Sequence, residues 1–317
     1  MYSHKPSVVN RVSVTGSRWG RSGCLVAVLG MCLPGCGTPY KVQESVTLSS
    51  PRPTARLLVD NSVGTIRVSA DETAGEVRAE ITKVGKGYSE QVAQAALDEI
   101  NVRLEVTDNG STVRATAEHP QGSSDRNYEV AWVITAPPQV DVDVRNDVGD
   151  VHVKGRLKAI SIKNSVGDAT VSSGPAPAMI SGPIQVTSAV GDVHVHGGSA
   201  GLTVESDVGD VHATAGGNVN IRSDVGDVTL KLLPAQADSV RVSTDVGDIS
   251  VFLSPQQQGR IVADCDTGRI RMNITGSQVK ELREREHHAS ARLGDAGAPV
   301  IDLTADVGSI TIGSFTP

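Results

Sequence analysis

Carboxylates recur in this chain at fixed offsets from a repeated glycine. Asp150, Asp168, Asp192, Asp210, Asp227 and Asp248 each follow such a glycine directly, and Asp147, Asp207, Asp224, Asp245, Asp266 and Asp306 each stand two residues before one. Oxygen-rich clusters suit Ca²⁺, so Asp207, Asp210, Asp224, Asp227, Asp245 and Asp248 make a candidate row of weak calcium sites. The competing reading is architectural, with each Asp accepting backbone N–H bonds at its turn. Stacked carboxylates about 4.8 Å apart repel by about 0.9 kcal/mol in water, so such a row needs compensation. The calcium-binding nonapeptide rolls repeat every nine residues or so; this chain has one Gly-Asp per much longer repeat.

His194 and His212 share the position three residues after the glycine, with His152 in the same column and His196 close by. The pair could face one metal, although zinc normally takes more ligands than two. Strand alternation alone also accounts for them as solvent-facing. Paired carboxylates could in principle cleave a glycosidic bond, which leaves a carbohydrate-active β-helix enzyme as one alternative. Against it stand short repeats and few aromatic residues for a sugar platform. Nor is there a phosphate loop, a zinc-protease helix motif or a nucleophile elbow. The expectation is a non-enzymatic protein with no cofactor beyond the candidate calcium.

Cys36 closes the sequence "LPGC" after a leader carrying Lys5, Arg11, Arg18 and Arg21 and no acidic residue. The apolar run from Cys24 to Leu33 is too short to span a bilayer. Residues 1–35 therefore read as a lipoprotein signal peptide, and the tetrapeptide resembles the lipobox that directs acylation of the cysteine. Losing the leader's four basic residues takes the formal charge from −7 to −11. So acidic a chain is a poor partner for nucleic acid. Among the four cysteines, Cys265 alone follows Cys36, so an exported chain has no internal disulfide. Cys265 reads as a buried stacking residue.

The elements that must position these groups follow from the glycine itself. Gly64, Gly149, Gly167, Gly191, Gly209, Gly226, Gly247, Gly268 and Gly308 align the chain. Aliphatic residues stand seven and five positions before each and two and four after, as in Val219, Ile221, Val228 and Leu230 around Gly226. Polar residues alternate with them, the mark of half-buried strands. Side-chain parity changes at the glycine, which calls for an unusual backbone angle. Three residues before the glycine stand small or polar side chains, among them Asn61, Asn146, Asn164, Ser188 and Cys265. The pattern predicts an all-β, single-domain β-solenoid of seven to nine short coils, right-handed by the usual crossover rule.

Two segments depart from the repeat. Residues 69–140 predict a small α+β cap: a strand at 76–84, a helix at 89–100 capped by Ser89, a hairpin of 101–107 and 112–118, and a strand at 128–136. Residues 277–298 predict a short charged helix and loop. The chain thus divides into the signal peptide, a lipidated Cys and tether at 36–55, a first coil plus cap at 56–140, and solenoid repeats at 141–317.

The start "LLVDNSVGTIRV", the charged helix ahead of paired strands, "YEVAWVITAP" and the serial "VGDV" turns together resemble a bacterial β-strand-repeat domain of unknown function known as the putative-adhesin domain. The similarity covers roughly residues 55–315. It implies an exported or membrane-attached solenoid with no assigned catalytic residues, and some relatives are tied to envelope-stress systems. The expected function is that of a lipid-anchored, adhesin-like, scaffold or envelope-interaction module. An accessory of envelope-stress sensing is the alternative. The membrane would be engaged through the lipid, an unidentified glycan or protein ligand through the surface, and the location would be the cell envelope, on the outer membrane in a Gram-negative host.

Overall fold

The computed structural model describes residues 40–50, 54–118, 128–174, 180–198, 200–233, 239–274, 279–294 and 299–315. The leader and Cys36 lie outside them. Strand β1 (Tyr40–Ser49) precedes the first repeat pair, β2 (Arg56–Val63) and β3 (Ile66–Ala70). Then come β4 (Arg78–Gly87), helix α1 (Glu90–Asp98), β5 (Asn101–Thr107), β6 (Thr112–Glu118) and β7 (Tyr128–Ala136). Six further pairs follow: β8 (Asp141–Val148) with β9 (Val151–Lys154), β10 (Ala159–Val166) with β11 (Ala169–Ser172), and β12 (Ile184–Val190) with β13 (Val193–Gly198); then β14 (Leu202–Val208) with β15 (Val211–Ala215), β16 (Val219–Val225) with β17 (Val228–Leu232), and β18 (Ser239–Val246) with β19 (Ile249–Leu253). The chain closes with β20 (Gly259–Thr267), β21 (Ile270–Asn273), β22 (Val279–Glu284), β23 (His288–Leu293), β24 (Val300–Val307) and β25 (Ile310–Ser314).

Each of the nine glycines joins a strand of a thirteen-stranded sheet to one of a twelve-stranded sheet, and successive rungs pair in parallel. The two sheets form a solenoid with one continuous core between them. Every residue of the four aliphatic columns is buried except Met272, which packs half-buried against the core. The corner satisfies two constraints at once. Gly226 has φ +145°, and a Cβ there would stand 2.1 Å from the Gly209 carbonyl oxygen of the preceding rung. Only glycine meets both the left-handed angle and the close approach.

Inside the bend, side chains stack in a column of their own. Asn61 Nδ2 donates to Asn146 Oδ1 at 3.1 Å, and Asn146 Nδ2 donates to Asn164 Oδ1 at 3.2 Å and to the Gly149 carbonyl at 2.8 Å. The indole N–H of buried Trp132 tops the ladder by donating to Asn61 Oδ1. Further along, Ser188, Ser206 and Ser223 bury hydroxyls with no bond to protein, so these serines do not bond a neighbouring backbone as their size and place suggest. Replacing Asn146 by Ala leaves buried ladder atoms on Asn164 and Gly149 short of a partner. The expected cost is about 2–4 kcal/mol, measured by urea unfolding; a loss below half a kcal/mol removes the ladder from the account.

The N-terminal cap follows its sequence pattern. Ser89 Oγ accepts the Val92 N–H at 3.2 Å, and β5, β6 and β7 occupy the expected spans. Strand β6 extends the thirteen-stranded sheet in parallel beside β2, and β7 extends the twelve-stranded sheet in parallel beside β3. Antiparallel β5, β4 and β1 complete that end. Helix α1 lies on β4 so closely that a Cβ at Gly85 would stand 2.1 Å from the Ala93 carbonyl oxygen. Residues 40–49, expected to be tether, are instead strand β1, in register with β4 from Tyr40↔Gly87 to Ser49↔Arg78.

The C-terminal end differs from expectation more deeply. Residues 279–293 are no helix but a hairpin, β22 against β23, with β23 antiparallel on β20. Ala289, Ala291 and Leu293 are buried while His288 and Arg292 face out. That period of two outweighs the helix-forming residues just before it. The last rung is also out of sequence order: β24 lies between β18 and β20, and β25 between β19 and β21.

Candidate functional site

The aspartates that follow the glycines are held by the solenoid and hold it in turn. Asp168, Asp192, Asp210 and Asp227 each accept the backbone N–H of the corresponding Asp on the next rung, at 3.0, 2.9, 2.9 and 2.8 Å. Asp150 begins the series at 3.1 Å, and Asp248 ends it on Ser309 N at 2.7 Å. The bond reaches the neighbouring rung rather than the residue's own turn, which offsets the repulsion of the stacked charges. Asp207, Asp224 and Asp245 stand on the other side of the corner, Asp207 and Asp245 exposed and Asp224 half-buried. Between the two acidic rows runs a row of valines, one per rung and about half exposed, from Val148 at 45% to Val307 at 50%.

For the calcium reading, Asp210, Asp227 and Asp248 already commit one oxygen each to an amide, and among the described residues no three His, Cys, Asp or Glu side chains converge as a metal site. Asp210→Asn keeps the accepting oxygen and is expected to leave the melting temperature within a degree or two. Asp210→Ala orphans the Asp227 N–H and is expected to cost about 1–3 kcal/mol. Equal effects of the two, or a rise of the wild-type melting temperature in millimolar Ca²⁺ that Asp210→Asn abolishes, would instead point to ion binding.

The histidines come together as their column requires. His194 and His212 pair in register on β13 and β15, with ring centroids 5.1 Å apart and planes within 5° of parallel. A metal lies in the plane of each imidazole that ligates it, and two parallel planes this far apart share no point. As stacked, the rings are therefore not joint ligands. Cys265 is buried, 2% exposed, and burial pushes its thiol up, with help from the charges of Asp264 and Asp266. That disfavours the reactive thiolate.

A broader feature surrounds the histidines. On the twelve-stranded sheet from β3 to β21, the outward positions hold Arg, Lys, His, Ser, Thr, Asn, Phe and Gly, and no Asp or Glu. A shallow open groove of about 290 Å³ crosses this face between Thr170 and Lys231. The opposite sheet carries both signs, with ion pairs such as Arg56–Asp143 at 3.1 Å and Lys158–Asp141 at 3.2 Å. Sequence reasoning found the histidines but not the face, which is legible as the absence of acids three and five residues after the glycines.

Fold and surface define a solenoid rod whose solvent-facing groups repeat rung by rung. The chain belongs to the Toastrack DUF4097 family, whose model matches residues 54–278. No match is found among curated proteins. Similar solved structures include a putative adhesin of Bacteroides fragilis, 18% identical, covering 84% of this chain and 96% of that one with a TM-score of 0.44. A putative cell adhesion protein of Clostridium sporogenes is 13% identical, covering 88% and 100% with a TM-score of 0.26. A putative lipid binding protein of Parabacteroides distasonis is 11% identical, covering 89% and 98% with a TM-score of 0.27.

Proposed function

We propose that the protein is a non-catalytic, lipid-anchored rod of the cell envelope that acts by presenting a binding face, in the manner of an adhesin or scaffold. What supports this most is that inward residues are consumed by the core while the outward ones repeat at the pitch of the rungs. A repeating, open surface suits an extended ligand; a catalytic centre needs dissimilar groups converging on one point. Acylation at Cys36 would hold the rod by its capped end, since β1 begins four residues later. Several acyl chains on one terminus make a stable anchor.

Palmitate labelling of cells making the wild-type chain and Cys36→Ala, followed by membrane fractionation, tests the anchor. The label and the membrane fraction are expected with Cys36 alone. Soluble, unlabelled wild-type protein would end the proposal, as would glycan hydrolysis that one carboxylate substitution abolishes.

A further inference from the structure

We infer that the carboxylate-free face binds an anionic polysaccharide in which acidic and neutral sugars alternate. This deepens the reading above by naming the ligand class of the presented face. Five residues stand side by side in register across β9, β11, β13, β15 and β17: Lys154, Ser172, His196, Thr214 and Lys231. Nitrogen donors therefore occupy alternate rungs, with hydroxyls between them. Adjacent strands lie about 4.7–4.9 Å apart, so the donors recur every 9.4–9.8 Å or so. That is close to the length of a disaccharide in an extended chain, and it puts one donor opposite each acid group of an alternating polymer. The hydroxyls then face the neutral sugars.

The charge environment supports an acidic ligand. Lys154, His196 and Lys231 are exposed, and among the described residues neither lysine is in an ion pair. The chain as a whole is acidic, with a formal charge of −7. At physiological salt that distant charge is screened within about 8 Å, so the local face decides what docks there. Phe252 is next in the row after Lys231, and its ring lies over Gly313, where an added Cβ would be 3.3 Å away. The ring offers an apolar surface to a sugar beside the cation. A lipid surface or an acidic peptide also carries anions, but neither has this fixed pitch.

The test uses the mature domain, residues 37–317, and hyaluronan, an unsulfated chain of alternating uronic acid and N-acetylhexosamine. Comparison arms are polygalacturonate with an acid on every sugar, neutral dextran, polyglutamate, and vesicles of anionic phospholipid. Hyaluronan is expected to bind most tightly and to weaken as salt rises. Lys154→Gln with Lys231→Gln is expected to lower its affinity by about tenfold or more, with an unchanged melting curve. Asp207→Asn, on the acidic corner, is expected to leave it intact. The inference is overturned by no binding, by binding the double variant equally well, or by equal or tighter binding to any comparison arm. Such a result, with Cys36 labelling intact, removes the ligand class and leaves the anchored rod standing; loss of the anchor with hyaluronan binding retained does the reverse.

Discussion

Ending the chain at Gly294 is expected to abolish cooperative folding. In a solenoid stacked in sequence order the final rung is an end piece, and its loss shortens the rod by one layer. Here β24 and β25 sit inside the stack, each hydrogen-bonded on both sides. Deletion removes the fully buried Ile301, Leu303, Ile310 and Ile312. At about 1.5–3 kcal/mol each they contribute about 6–12 kcal/mol, comparable with the whole stability of a typical domain. The truncated chain should be insoluble or melt without a cooperative transition. Cysteine pairs check the rung order without deleting anything. Val246 is in register with Val307, and Val307 with Thr267. Val246→Cys with Val307→Cys should oxidise to a disulfide, whereas Val246→Cys with Thr267→Cys, two rungs or about 9–10 Å apart, should not. A disulfide in the second pair alone, or a truncated chain that melts like the wild type, would refute the interposed rung.

Gly226→Ala is expected to cost about 2–6 kcal/mol, the sum of backbone strain and overpacking of about 1–3 kcal/mol each. The new Cβ would meet the carbonyl oxygen and carbon of Gly209 at 2.1 and 2.6 Å, with φ at +145°. Those atoms belong to a paired strand corner and cannot rotate aside as a side chain would. Gly75→Ala is the control: nothing lies within 4 Å of its Cβ. It should be neutral or stabilising by up to about 1 kcal/mol through the unfolded chain. Denaturant melts of the two variants read the difference, and equal midpoints would mean that the corner glycine is dispensable.

The repeat was legible because it is written in side chains that each obey the same local rule. Ile221 and Val228 must face inward whatever the rest of the chain does, and the glycine between them marks the corner. Strands β5 and β6 were readable from "DNGS" and their alternation, and α1 from Ser89 and the apolar spacing behind it. Three features were not legible. Residues 40–49 pair with β4 over a long sequence separation, and a strand with no fully buried residue, its Val42, Val46 and Leu48 face interrupted by Glu44, leaves no strict alternation to find. The "KELRERE" run favours a helix locally, while the sheet edge at β20 selects the hairpin. The interposed rung leaves no mark at all in the columns, because Ile301 would fill the same slot in either stacking order. For the surface, individual histidines stood out, whereas the acid-free face is a property of many strands together.

The displaced last rung also bears on when folding can finish. A chain that becomes free to fold from its N-terminus onward can lay its layers one upon another as far as β19. The segment β20–β23 then has no final seat, since the layer that must lie beneath it has not yet arrived. Closure waits for residues 300–314, whose entry as the inner layer is a long-range event of the kind that slows folding. The end of the polypeptide thus acts as a latch, and the finished rod dates from the moment its last strand slides home.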